Sequence, residues 1–93
     1  MMSERLFTIY VLYSATVDRY FAGQTTQFEK QLQRHNGGKN SHTKSGIPWK
    51  AVLKETYPSK KEADKRLVEL RGSSDRSELM RAIRSVRNEI EPV

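Results

Sequence analysis

Residues 6 to 14, LFTIYVLYS, are dense in apolar β-branched and aromatic side chains, the composition of a well-buried strand. Ala15 to Arg19 supply a turn and Tyr20 to Thr25 a short second strand, so a hairpin is expected. Thr26-Gln27-Phe28-Glu29 fits a capping box, in which hydroxyl and carboxylate each satisfy a free backbone N–H. The helix it opens is expected to run to about His35, with Phe28 and Leu32 one turn apart on its apolar face. Asn36-Gly37-Gly38 ends it, because these residues tolerate the left-handed conformation found at helix ends.

Residues 37 to 48 form a basic, glycine-containing loop closed by Pro48. Trp49 to Tyr57, WKAVLKETY, reads as a third strand anchored by Trp49, Val52 and Tyr57. Ser59-Lys60-Lys61-Glu62 is a second capping box. Its helix runs to about Arg71, with Ala63, Leu67 and Leu70 on one stripe. Gly72-Ser73-Ser74 breaks that helix, and Asp75 with Glu78 can cap a last one, on which Leu79, Ile83 and Val86 share a face. The order β-β-α-β-α-α predicts an α/β (α+β) fold: a small three-stranded antiparallel sheet flanked by helices. No repeat, linker or low-complexity tract divides residues 1–93, so one domain is expected.

Composition narrows the functions available. The 93 residues are close to the size at which one core just suffices. There is no cysteine, which excludes disulfides and thiolate metal ligation. No apolar run approaches the roughly 18 residues of a membrane span, and the start of the chain lacks a signal-peptide pattern. A soluble, cytoplasmic protein is therefore expected. The net charge is +6, and between Lys30 and Lys54 the chain has six lysines or arginines and no acidic residue. Lys30, Arg34, Lys39, Lys44, Lys50 and Lys54 are thus candidate phosphate contacts, since clustered cations release counterions when they meet nucleic acid. A merely solvated basic face is the other reading of the same residues. DNA, duplex or branched, is the expected partner; protein partners and oligomeric state are not readable.

The words along the chain resemble the GIY-YIG nuclease superfamily, most closely its small stand-alone bacterial members. Thr8-Ile9-Tyr10 stands at the first signature and Phe21-Ala22-Gly23 at the second. Phe28 to Asn36, FEKQLQRHN, resembles the family helix ending in His-Asn, and Thr43-Lys44-Ser45-Gly46-Ile47-Pro48-Trp49 its third-strand word. Glu62 to Arg71, EADKRLVELR, is similar to the word of the later helix. The likeness covers about residues 7 to 88.

Phosphodiester hydrolysis needs a base for the water, a cation for the developing charge and usually a divalent metal. The resemblance implies that the first-strand tyrosine is the candidate base, supported by a second-strand tyrosine. It implies a helix arginine for charge and a glutamate on the later helix for Mg²⁺ or Mn²⁺. Tyr10 is present, and His35 and Asn36 survive as pocket positions beside Gly23. Phe21 lacks the second hydroxyl, and its neighbour Tyr20 alternates to the opposite sheet face. Gln31 replaces the arginine, a loss that typically costs about 10² to 10³ in rate. Arg34, three residues on, is near the same helix face and is a candidate replacement. Leu67 stands where the metal-binding glutamate belongs, and no metal site is assigned. A His35–His42 zinc pair lacks acidic or thiolate companions.

The expectation is a DNA-binding domain on this fold with weak or lost cleavage. Two alternatives stay open: an active metal-dependent endonuclease with substituted residues, and a protein-interaction module using Leu79, Met80, Ile83 and Val86.

Overall fold

The computed structural model describes residues 6–72 and 76–90. Three strands, β1 (Phe7–Ser14), β2 (Arg19–Thr25) and β3 (Lys50–Tyr57), form an antiparallel sheet in the order β2-β1-β3. Helix α1 (Phe28–Asn36) follows the hairpin, and α2 (Lys60–Arg71) and α3 (Ser77–Ile83) follow β3. The predicted order and antiparallel sheet are thus found.

Because β1 is central, its alternate side chains feed two separate cores. Ile9 and Val11 pack with Leu53, Tyr57, Ala63, Leu70, Leu79 and Ala82 beneath α2 and α3. Tyr10 and Leu12 pack with Trp49 on the other face, where Phe21, Phe28, Leu32 and Ile47 close over them. β1 keeps its partners in register, except that Val11 pairs with Leu53 and Leu12 with Ala51. Val52 is therefore an extra residue, a bulge that switches which side of β3 faces which core. It packs at the edge of the α2 core and is not the central anchor expected of it; Leu53 is.

Several local expectations change. The first capping box does not form: α1 starts after Gln27 with no side-chain cap, and the Gln27 N–H donates to the Thr25 hydroxyl at 2.9 Å. With the cap one residue later than the motif needs, Glu29 lies too early in the helix to reach back. The second box forms in its hydroxyl half, the Glu62 carboxylate taking the Ser59 hydroxyl in place of a backbone N–H. Ser59 accepts the Glu62 N–H at 3.2 Å, and its hydroxyl donates to the Glu62 carboxylate at 3.1 Å. The left-handed residue after α1 is Gly38, with φ +76°. Asp75 lies outside the described residues. α3 ends at Ile83, so Val86 falls beyond it and is fully exposed instead of sharing its apolar face. Leu79 is buried, while Met80 and Ile83 pack partly buried against the α2 core.

Candidate functional site

The α1 face of the sheet buries a chain of polar groups. Tyr10, 4% exposed, places its hydroxyl 3.2 Å from Nε2 of His35, itself 1% exposed. Nδ1 of His35 lies 2.8 Å from the Thr43 hydroxyl oxygen, which is 3.4 Å from the Asn40 carbonyl. A carbonyl can only accept, so the Thr43 hydroxyl donates to Asn40 and accepts from Nδ1–H. Nε2 is then the lone-pair nitrogen, and it accepts the Tyr10 hydroxyl. The order Tyr10 to His35 to Thr43 to Asn40 follows from one acceptor at its end.

Each residue is held there for a local reason. Tyr10 sits opposite Gly23 on β2, and a Cβ on that glycine would come 2.5 Å from the phenol oxygen. Gly23 is thus the bed on which the ring lies. His35 occupies the last turn of α1, and the Phe21 ring lies 4.9 Å from its imidazole. Asn36 donates to the Trp49 carbonyl at 3.0 Å and accepts the Trp49 N–H at 2.6 Å. Its amide pairs with backbone as a strand would, closing the loop over residues 37 to 48. Trp49 in turn donates its indole N–H to the Thr43 carbonyl at 2.6 Å. Asn36 therefore positions the loop, with both of its side-chain hydrogen bonds on the Trp49 backbone.

Burial pushes the Tyr10 phenol above its ordinary value, opposed by the positive charge of Arg71. Burial, then the nearby charge of Arg34, lowers His35. The imidazole is thus held neutral, an acceptor for a phenol that keeps its proton. This pair could move a proton between Tyr10 and His35.

The site's other sequence-derived positions separate. Phe21 packs over Tyr10 and His35 and brings no hydroxyl. Gln31 and Arg34 line one cleft with Lys39, Asn40 and Ser41, and Tyr10 is not in its wall. Leu67 packs against the Ile9–Val11 core, on the far side of the sheet from Tyr10. The acidic groups around α2 have other partners. Glu62 belongs to the Ser59 cap, Asp64 binds Lys60 and Gln24, Glu69 binds Arg66, and Glu55 binds Arg66 and Tyr57. Hard divalent ions require carboxylate oxygens. Among the described residues, no group of three or more His, Asp or Glu could hold a metal. The donors beside Tyr10 are an imidazole and a threonine hydroxyl, which do not fit such an ion.

The six predicted phosphate-binding cations form no ion pair among the described residues. Lys30 and Lys54 line a cleft with Phe28, and the Lys54 ammonium lies 5.0 Å over the Phe28 ring. Arg34 and Lys39 share the neighbouring cleft, and the Lys44 stem lies near Gly38. Lys50 pairs with Tyr13, and the Val52 bulge turns it to the sheet face opposite Lys54. Sequence reasoning missed Thr43 and Arg71. Both stand inside the words quoted above, but neither carries a role in the catalytic pattern those words suggest.

The chain matches the family model of the GIY-YIG catalytic domain over residues 6–73, well over half its length. It belongs to the GIY-YIG family. Comparison with curated proteins and with solved structures returned no significant match. No helix among the described residues is long and apolar enough to cross a membrane.

Proposed function

We propose that this GIY-YIG domain binds DNA through the cations of α1, the loop after it and β3, with phosphodiester cleavage weak or lost. The observation that carries this reading is the state of the Tyr10–His35 pair. Both groups are buried, hydrogen-bonded to each other at 3.2 Å, and have no carboxylate partner among the described residues. Meanwhile Lys30, Arg34, Lys39, Lys44 and Lys54 stay unpaired and free to neutralise phosphates among the described residues. Such contacts give affinity and salt dependence, not sequence reading. Five such contacts correspond to a loss of about 500-fold in affinity between 50 and 200 mM salt.

A second reading, weak endonuclease activity, draws on the same hydrogen bond, since a neutral imidazole can take the Tyr10 proton. The deciding experiment incubates the protein with supercoiled plasmid and a branched oligonucleotide, with Mg²⁺ or Mn²⁺, beside Tyr10→Phe. No nicking with a salt-sensitive gel shift supports the binding reading. Nicking that disappears in Tyr10→Phe favours the nuclease. A salt-independent shift, or none, counts against DNA binding.

A further inference from the structure

Outside the cations just described, three arginines line one cavity of about 420 Å³ beside β2, α2 and α3. They are Arg19 at the start of β2, Arg71 at the end of α2, and Arg76 just before α3. Tyr20 and Phe21 adjoin them in its lining, and no carboxylate lines it among the described residues.

Two of the three guanidiniums are fixed in place largely by neutral groups. Arg71 donates from Nε and Nη2 to the Ala22 carbonyl, at 3.2 and 2.8 Å. Arg76 donates to the Asp18 carbonyl at 2.8 Å and stacks 4.9 Å over the Tyr20 ring. Carbonyls and rings orient a guanidinium without cancelling its charge. Among the described residues the one opposing charge is the exposed Asp18 carboxylate, 3.5 Å from Arg76, which offsets part of that arginine's charge and pairs with neither Arg19 nor Arg71. Arg19 and Arg71 make no ion pair among the described residues. Capping the outer edge of β2 accounts for one carbonyl of Arg71 but not for three arginines around one cavity. Planar, pre-oriented guanidiniums with unused N–H groups suit the oxygens of a phosphate.

We propose that this cavity is a second phosphate-binding site, taking a backbone phosphate of the DNA strand beside β2. The proposal rests on the DNA-binding reading above. It extends that surface to the other edge of the Tyr10 site, because Ala22, which holds Arg71, adjoins Gly23 beneath the Tyr10 ring. Arg71 is also the charge that acts on the Tyr10 phenol.

Fluorescence anisotropy with a labelled DNA duplex, over a series of salt concentrations, tests it. Wild type is compared with Arg19→Gln, Arg71→Gln and, as a control on the other surface, Lys30→Gln. Arg19 makes no ion pair among the described residues, so that variant reads binding with the least structural disturbance. The expected result is weaker binding in both arginine variants, each with a salt slope shallower by about 0.9. Wild-type affinity and slope in both overturn the cavity while leaving DNA binding intact. Loss in Arg71→Gln alone, with altered circular dichroism, overturns it in favour of an edge-capping role. Absence of DNA binding by the wild type at 50 mM salt removes the underlying reading, and this proposal with it.

Discussion

Each face of the sheet buries one polar cluster, and the two are built on opposite principles. Beneath α2, Glu55 is 2% exposed and receives Arg66 at 2.8 and 3.1 Å and the Tyr57 hydroxyl at 2.6 Å. Arg87 completes this group, donating to the Tyr57 oxygen at 3.2 Å. Beneath α1, the cluster of Tyr10, His35 and Thr43 is neutral throughout and ends on a backbone carbonyl. The charged cluster joins α2 to β3, so it fastens the architecture. The neutral one joins β1, α1 and the loop after it. The buried carboxylate, Glu55, lies on the face of the sheet away from Tyr10.

The largest expected effect is on the charged face. Arg66→Met leaves Glu55 buried without its cation and should lower stability by about 3–5 kcal/mol, read as the urea midpoint. A loss under about 1 kcal/mol would mean water or Arg87 compensates. On the neutral face, Thr43→Val removes the acceptor of the His35 N–H and should cost about 1–3 kcal/mol. If the neutral cluster matters less than the charged one, that ordering of midpoints will hold.

The two faces also separate by pH. His35 has a folded value below its ordinary 6.5, so the unfolded chain takes up the proton first. Its contribution is full above about pH 6.5 and is lost as pH falls below it; a His35→Gln variant should lack this loss in pH-dependent thermal melts. For Glu55, burial raises the value, but the Arg66 and Tyr57 hydrogen bonds and the charges of Arg66 and Arg87 outweigh it, and the net direction is down from 4.5. That contribution is present above about pH 4.5 and is lost as pH falls through the lowered value. Tyr57, pushed up to about 12 by burial and then by Glu55, is protonated in the fold where the unfolded chain begins to ionise. Stability from this group therefore declines above about pH 10. Lys30→Gln and Lys54→Gln should leave stability within about 0.5 kcal/mol while weakening DNA binding.

Much of the architecture was legible because buried β1, the Ser59–Glu62 box and the Ala63–Leu67–Leu70 stripe are local patterns whose meaning packing reinforces. Leu67 was legible as a core position for the same reason, since it continues that stripe and packs against the Ile9–Val11 core. What could not be read from period alone was β3. Lys50 and Lys54 have equal parity and would share a face on a regular strand, but the bulge at Val52 puts them on opposite ones. The role of Asn36 was hidden too, because its partner is backbone at Trp49, thirteen positions away. Thr43 gains its meaning only when the loop brings it against His35, and the arginine cavity joins Arg19, Arg71 and Arg76 from three separate elements.

Trp49 is the one tryptophan in the chain, and its indole bonds to the residue whose hydroxyl receives His35. The domain consequently carries its own optical probe, wired by two hydrogen bonds to the imidazole next to Tyr10. Protonation of His35, opening of the loop or release of Asn36 should each leave a distinct trace in tryptophan emission without any added label.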